Sequence, residues 1–195
     1  IINGKRIVSI PFSDYGGPLC ISGSNDNEFL YELIKLYENR VKYLEVRCRM
    51  AADSCTSCHD YYKRHILELS IDPDEVKKKI NKRTIQYSIR KAERSGVVVK
   101  EDNSLNGIMQ FYRLNEMTRT KHGVPSQPER YFKRFFENMV AKKLAYIYLA
   151  AIHKKVIAAS IFIKFKDTIH YKYNASDPEY LTRDRKSTRL NSSHQ

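Results

Sequence analysis

The second half of the chain shows a regular succession of apolar patterns. Residues 97–101 are typical of a strand, and residues 105–121 place apolar side chains at helical spacing. A second helix is predicted over residues 129–142. Three further strands are predicted over residues 144–152, 156–164 and 168–174, with turns at 153–155 and 166–167. The pattern therefore predicts a strand, two helices and a three-stranded antiparallel meander.

The first half opens with a short apolar run, residues 6–10, that ends at Pro11. Proline cannot donate to a strand ladder, and glycine permits a positive φ or a close approach of the backbone. Pro11 and Phe12 are followed by two polar residues, one tyrosine and two glycines: Ser13, Asp14, Tyr15, Gly16 and Gly17. This segment is either a tight strand-to-helix turn or a substrate loop.

Residues 73–94 predict a strongly basic helix. Asp72 is its expected N-cap, Pro73 its first residue, and Ser95–Gly96 its stop. The apolar residues fall on two sides of this helix, which predicts packing against two bodies and a role as connector. One side of the helix carries a stripe of three arginines and one tyrosine: Arg83, Tyr87, Arg90 and Arg94. This stripe is either a binding surface or an ordinary solvated face.

Composition changes this picture mainly through charge. The 195 residues carry a formal net charge of +13, which indicates an anionic partner such as a nucleic acid, an anionic membrane face or a phosphorylated substrate. The longest apolar run, residues 144–152, is far shorter than the roughly 18 residues that a membrane-spanning helix needs. We therefore expect a cytoplasmic protein without a transmembrane segment.

Three cysteines and a histidine lie close together in sequence, at Cys48, Cys55, Cys58 and His59. The pattern from Cys55 to His59 fits covalent haem attachment, and the four residues together could hold zinc. A polar loop with reduced thiols is the favoured interpretation, so no metal is predicted. Four cysteines without framework spacing suggest a reducing compartment.

Both ends of the sequence depart from a native pattern. The chain starts at Ile1 without a methionine and continues directly into a strand. Residues 184–194 resemble the translation of a sequencing-adapter oligonucleotide, and the alternative is an ordinary polar tail. We treat the tail as a non-native segment and leave it out of fold reasoning.

Four segments resemble the FemAB-like proteins: PFSDYGGP (11–18), RKAERSG (90–96), TRTKHGVP (118–125) and YKYNASDP (171–178). That family consists of tandem lobes with a GNAT-like acyltransferase fold and is related to the peptidoglycan bridge aminoacyltransferases. The resemblance extends from about Gly4 to Tyr180. It implies an α/β protein with a mostly antiparallel mixed sheet and flanking helices, present here as a truncated tandem of two lobes.

The implied domains follow from this resemblance. Residues 1–72 would be the C-terminal part of a first lobe, residues 73–96 a connecting helix, and residues 97–183 the N-terminal part of a second lobe. Residues 184–195 would be the non-native tail. Because both lobes would then be incomplete, we expect the chain as it stands to be inactive.

The implied activity is transfer of an acyl or aminoacyl group to an amine acceptor. The donor would be acyl-coenzyme A or aminoacyl-tRNA, used as a substrate and not as a permanently bound cofactor. The anionic acceptor would be a phosphorylated cell-wall precursor, with possible partners in tRNA and in the inner membrane face. Such a reaction depends mainly on positioning and on stabilisation of the oxyanion. The alternative is a noncatalytic protein that binds nucleic acid or an anionic surface.

The candidate site residues divide by role. Asp14 and Asp177 either accept the amine proton or cap a helix, and capping is favoured. Backbone amide groups in the turns after the first and the last predicted strand would bind an anionic group or a carbonyl of the donor. These turns contain Ser13, Gly16, Gly17 and Ser176. The tyrosines either line the cleft or pack: Tyr15, Tyr171 and Tyr173. Phosphates or carboxylates would be bound by Arg90, Lys91 and Arg119, while His122 either shapes the acceptor site or is structural.

Overall fold

Residues 5–10, 13–18, 26–48, 65–79 and 82–181 are described by the computed structural model. The chain divides into two units, residues 1–67 and 68–195. Pro11, Phe12, Cys55, Cys58, His59 and residues 184–195 lie outside the described residues, so the predictions on the haem or zinc pattern and on the tail are not tested.

The first unit contains a parallel strand pair joined through a helix. Strand β1 (Arg6–Val8) leads to helix α1 (Asp26–Tyr37), and strand β2 (Tyr43–Glu45) returns beside β1 with Arg6 opposite Tyr43. Parallel strands need a crossover connection, which α1 provides between them. The guanidinium of Arg6 donates to the Tyr43 hydroxyl at 2.9 Å.

The second unit begins with the predicted basic segment. Helix α2 (Pro73–Lys79) is followed by a π-helical turn (Lys82–Gln86) and helix α3 (Tyr87–Arg94). The Asp72 carboxylate accepts the N–H of Asp74 at 2.9 Å, as expected for an N-cap. None of the described residues 83–94 is buried, and the role of this segment as a connector stays a prediction.

A four-stranded antiparallel sheet forms the centre of the second unit. Its strands are β3 (Val98–Glu101), β4 (Ala145–Ile152), β5 (Lys155–Phe165) and β6 (Thr168–Ser176), and they are paired in that order. Helix α4 (Leu105–Lys121), helix α5 (Glu129–Phe135) and a π-helical turn (Phe136–Val140) connect β3 to β4. A short helix, α6 (Pro178–Leu181), follows β6. The α/β class and the strand, helix, helix, meander order are confirmed.

The helices pack on one face of this sheet. Every second residue of β4 is buried against them, from Ala145 through Ile147 to Leu149. Phe111 of α4 and Phe132 of α5 are fully buried, with ring centroids 5.5 Å apart. This core fixes α4 relative to the end of β6, where the candidate site residues of this unit lie.

Candidate functional site

The end of β6 forms a tightly held turn, Ser176–Pro178, which we call the β6 turn. The N–H of Asp177 donates to the carbonyl oxygen of Ile157 at 2.8 Å. One carboxylate oxygen of Asp177 accepts the N–H of Glu179 at 3.0 Å, and the other lies 3.0 Å from the ammonium of Lys155. Asp177 is 1% exposed, so this carboxylate is a buried, fully engaged group.

These contacts determine the charge state of Asp177. Burial by itself raises the pKa of a carboxyl group, but the N–H of Glu179, the Lys155 ammonium and the nearby Arg113 outweigh it. The pKa of Asp177 is therefore lowered from its ordinary value. The hydrogen bond to Asp177 raises the pKa of Lys155. An ionised carboxylate with a donor on each oxygen favours the capping role, and the general-base role stays a prediction for Asp14 and Asp177.

Thr118 joins two of the four sequence segments in space. Its hydroxyl donates to the carbonyl oxygen of Ser176 at 3.2 Å and accepts the N–H of Ser176 at 3.1 Å. Segment 118–125 at the end of α4 is thereby fixed to segment 171–178 at the end of β6. The predicted site residues of these two segments therefore share one region of the second unit.

Arg119 and His122 lie next to this bridge. Arg119 is half-buried, and its Nε donates to the carbonyl oxygen of Pro125 at 3.4 Å, while His122 is exposed at the C-terminus of α4. The buried amide of Asn115 donates to the Ser126 hydroxyl at 3.0 Å. Arg119 and Asn115 of α4 thus both hold the loop that follows this helix. The contact of Arg119 is structural, whereas its predicted role is to bind an anion.

The two tyrosines of β6 lie on opposite faces of the sheet. Ile161 pairs with Tyr173 but its neighbour Phe162 pairs with Tyr171, because a β-bulge inserts Lys172 between them. Tyr173 faces the core and its hydroxyl lies 2.8 Å from that of Tyr131. Tyr171 is 53% exposed and stacks on Phe162. At most one of these tyrosines can therefore line a given face of a cleft.

In the first unit, the segment after Pro11 folds back on the residues that follow β2. The guanidinium of Arg47 donates to the Ser13 carbonyl oxygen at 2.9 Å, and the N–H of Gly16 donates to the Arg47 carbonyl oxygen at 2.8 Å. A Cβ on Gly17 would lie 2.6 Å from Cβ of Cys48. Close packing therefore explains Gly17, while Asp14 and Tyr15 are exposed.

Arg90 and Lys91 lie on α3, where both side chains are exposed. Sequence reasoning missed Thr118, Lys155 and Arg47, which hold the two candidate turns. The sequence pattern predicts a turn over residues 153–155. In the structure His153 and Lys154 form the turn, with φ of 47° and 68°, and Lys155 is the first residue of β5. Only tertiary contacts between distant segments identify these three residues.

Neither a metal-binding cluster nor a membrane-spanning helix occurs within the described residues. No group of three or more His, Cys, Asp or Glu side chains in the described ranges is arranged to hold a metal ion. Among the helices of those ranges, none combines the length and apolar composition needed to cross a bilayer.

None of the curated proteins matches the chain. A predicted acetyltransferase from Clostridium acetobutylicum, whose crystal structure was determined with acetyl-CoA, is similar over 49% of this chain and 66% of its own, with 16% identity and a TM-score of 0.35. The FemAB family model matches residues 61–155, which include the segments 90–96 and 118–125. The predicted resemblance to FemAB-like proteins is therefore matched by the family model over residues 61–155, slightly less than half of the chain.

Proposed function

We propose that this chain carries part of an acyltransferase that moves an acyl or aminoacyl group onto an amine. The observation that carries the proposal is the FemAB family match over residues 61–155. The matched region ends at Lys155, the residue whose ammonium is paired with Asp177 in the β6 turn. The match therefore includes Thr118 and Lys155, the two residues that hold the β6 turn.

The geometry of the second unit supports a mechanism based on positioning. Thr118 and Lys155 fix the β6 turn from two different elements, and a bulge interrupts β6 at Lys172. Bulges are frequent next to active sites because they redirect side chains and release backbone groups from the ladder. A neutral amine held against an activated carbonyl needs such fixed polar groups and no covalent nucleophile.

The finer parts of the proposal concern the substrates. The donor is acyl-coenzyme A or aminoacyl-tRNA, and the acceptor is an amine on an anionic, phosphorylated cell-wall precursor. Arg90, Lys91 and Arg119 are the proposed anion-binding residues, and Ser13–Gly17 is a second proposed substrate-contacting segment. A cytoplasmic location with contact at the inner membrane face would bring enzyme and precursor together.

The test compares the two donors directly. The purified chain is incubated with acetyl-coenzyme A or with aminoacyl-tRNA and an amine acceptor, and donor binding and product formation are followed by calorimetry and mass spectrometry. We expect one donor to bind with saturation. Thr118→Val should weaken that binding, because it removes the hydroxyl that fixes Ser176. Thr120→Val, at an exposed position of the same helix, is the matched control. Absence of saturable binding with both donors would contradict the proposal, whereas absence of product is the result that the expected inactivity of this chain predicts.

A further inference from the structure

The basic helix, residues 82–94, carries two of the proposed anion-binding residues, Arg90 and Lys91, and also an apolar face that the proposed activity does not use. It consists of the π-helical turn and α3, and none of its described residues 83–94 is buried. Ile85 and Ile89 are 42% and 49% exposed, although isoleucine is among the residue types most often buried. Two half-exposed isoleucines on one helix indicate an apolar surface available for a partner.

The apolar and basic side chains of this helix lie on opposite faces. Ile89 and Ala92 are three positions apart, and Ile85 precedes Ile89 by four, so the three share one face. Arg90 and Arg94 are four apart, and at about 100° per residue Lys91 falls on their side, opposite Ile89 and Ala92. The helix is therefore amphipathic, with a narrow apolar face and a strongly basic one.

The charge around the helix is also predominantly basic. Lys77, Lys78 and Lys79 end helix α2, directly before it, and are exposed. The acidic residue within residues 82–94 is Glu93. Clusters of four to eight Lys and Arg on an amphipathic helix are typical of segments that bind anionic lipid.

We propose that the basic helix lies in the interface of an anionic phospholipid membrane, with Ile85, Ile89 and Ala92 directed into the acyl boundary. A helix with its side chains is about 10 Å across, and the Debye length at physiological salt is about 8 Å. The basic face thus remains within about one Debye length of the headgroups while the apolar face is buried. Both faces contribute to binding, as in other interfacial helices.

A nucleic acid fits this surface less well. Phosphates of RNA or DNA would engage the arginines and would leave the isoleucines in water. A membrane removes the isoleucines from water and neutralises the arginines at the same time. The apolar face therefore distinguishes the two partners, and its contribution can be measured separately from that of the charge.

The experiment uses the full chain and large unilamellar vesicles, with binding measured by cosedimentation. One set of vesicles contains phosphatidylcholine and about one third phosphatidylglycerol, and the other contains phosphatidylcholine alone. We expect binding to the anionic vesicles and little binding to the neutral ones. The double variants Ile85→Ser/Ile89→Ser and Arg90→Gln/Arg94→Gln should each lower the partition coefficient at least about tenfold.

Matched controls separate the helix from the general surface. Lys121→Gln/Lys142→Gln removes the same charge from exposed positions elsewhere, and Ile66→Ser/Ile169→Ser removes two other exposed isoleucines. Both controls should bind like the unmodified chain, and Ile85→Leu/Ile89→Leu should retain binding because the helix stays apolar. Circular dichroism confirms that each variant is folded.

Three results would overturn the proposal. The first is failure of the unmodified chain to bind anionic vesicles. The second is unchanged binding by Ile85→Ser/Ile89→Ser. The third is salt-sensitive binding to single-stranded polyuridylate that exceeds vesicle binding and depends on the arginines alone, which would assign the helix to a nucleic acid. The measurement involves no acyl donor, so its outcome is independent of the proposed transfer activity.

Discussion

Asp177 is the residue whose surroundings make the sharpest thermodynamic prediction. Its pKa is lowered in the folded protein, so the unfolded chain binds the proton more readily. The resulting stabilisation is fully present above the ordinary carboxyl pKa of about 4 and is lost as the pH falls through the lower folded pKa. Urea unfolding between about pH 2 and 7 should therefore show stability decreasing in this acid range.

Two substitutions separate the effect of the Asp177 charge on stability from the effect of its hydrogen bond to the Glu179 N–H, which caps α6. Asp177→Asn keeps an oxygen that can accept the Glu179 N–H but removes the charge, so it should flatten the acid dependence. Asp177→Ala also removes the cap and should cost about 2 kcal/mol at pH 7. An acid dependence that is unchanged in Asp177→Asn would show that other carboxylates produce it. Asp74→Asn, in the exposed pair with Lys77, serves as the control and should change stability less.

Gly107 makes a second prediction at the scale of one residue. It lies in the first turn of α4, and a Cβ added there would lie 2.0 Å from the Asp102 carbonyl oxygen. Because the contact is with backbone, no side-chain rotation relieves it. Gly107→Ala should therefore reduce the free energy of unfolding by about 1–3 kcal/mol despite the higher helix propensity of alanine. Asn106→Ala, at the exposed neighbouring position, should leave stability nearly unchanged in the same denaturant titration.

At the scale of elements, the sequence predicted the strands and helices from β3 to β6 but not their irregularities. It did not predict α1 or β2 of the first unit. Helix α4 has the predicted bounds. Each of the strands β3 to β6 begins and ends within two residues of its own predicted bounds. The π-helical turns and the bulge at Lys172 leave no periodic signal, because each is one displaced residue whose position depends on packing. The contacts of Thr118 and Lys155 were unpredictable for a related reason: they join distant segments.

The bulge in β6 leads to a prediction about its two tyrosines. The Tyr173 hydroxyl is half-buried against that of Tyr131, whereas Tyr171 stacks on Phe162 at the exposed face. Tyr173→Phe should lower stability by about 1 kcal/mol, the cost of a lost partly buried hydrogen bond. Tyr171→Phe should change it by less than about 0.5 kcal/mol. Equal effects of the two variants in thermal unfolding would contradict the assignment of opposite faces.

At the scale of the whole molecule, charge was the most informative property of the composition. It indicated an anionic partner without identifying one, because net charge does not report where the basic residues lie. The structure supplies that placement for the described residues, with the exposed Arg90, Lys91 and Arg94 on one helix. The choice between a phosphorylated substrate and a lipid surface depends on apolar neighbours such as Ile89, which composition does not resolve.

The net charge of +13 makes a final prediction about salt. Like charges on a compact protein repel each other, and raising the ionic strength from about 0.01 M to about 0.15 M shortens the Debye length from about 30 Å to about 8 Å. Sodium chloride in this range should therefore raise the melting temperature. Arg90→Gln/Arg94→Gln, with two fewer positive charges, should show a smaller rise. Comparing chloride with sulfate at equal ionic strength separates screening, which depends on ionic strength alone, from binding of a particular anion. A melting temperature that falls with added sodium chloride would mean that exposed ion pairs such as Lys133–Glu129 stabilise the fold more than the excess charge destabilises it.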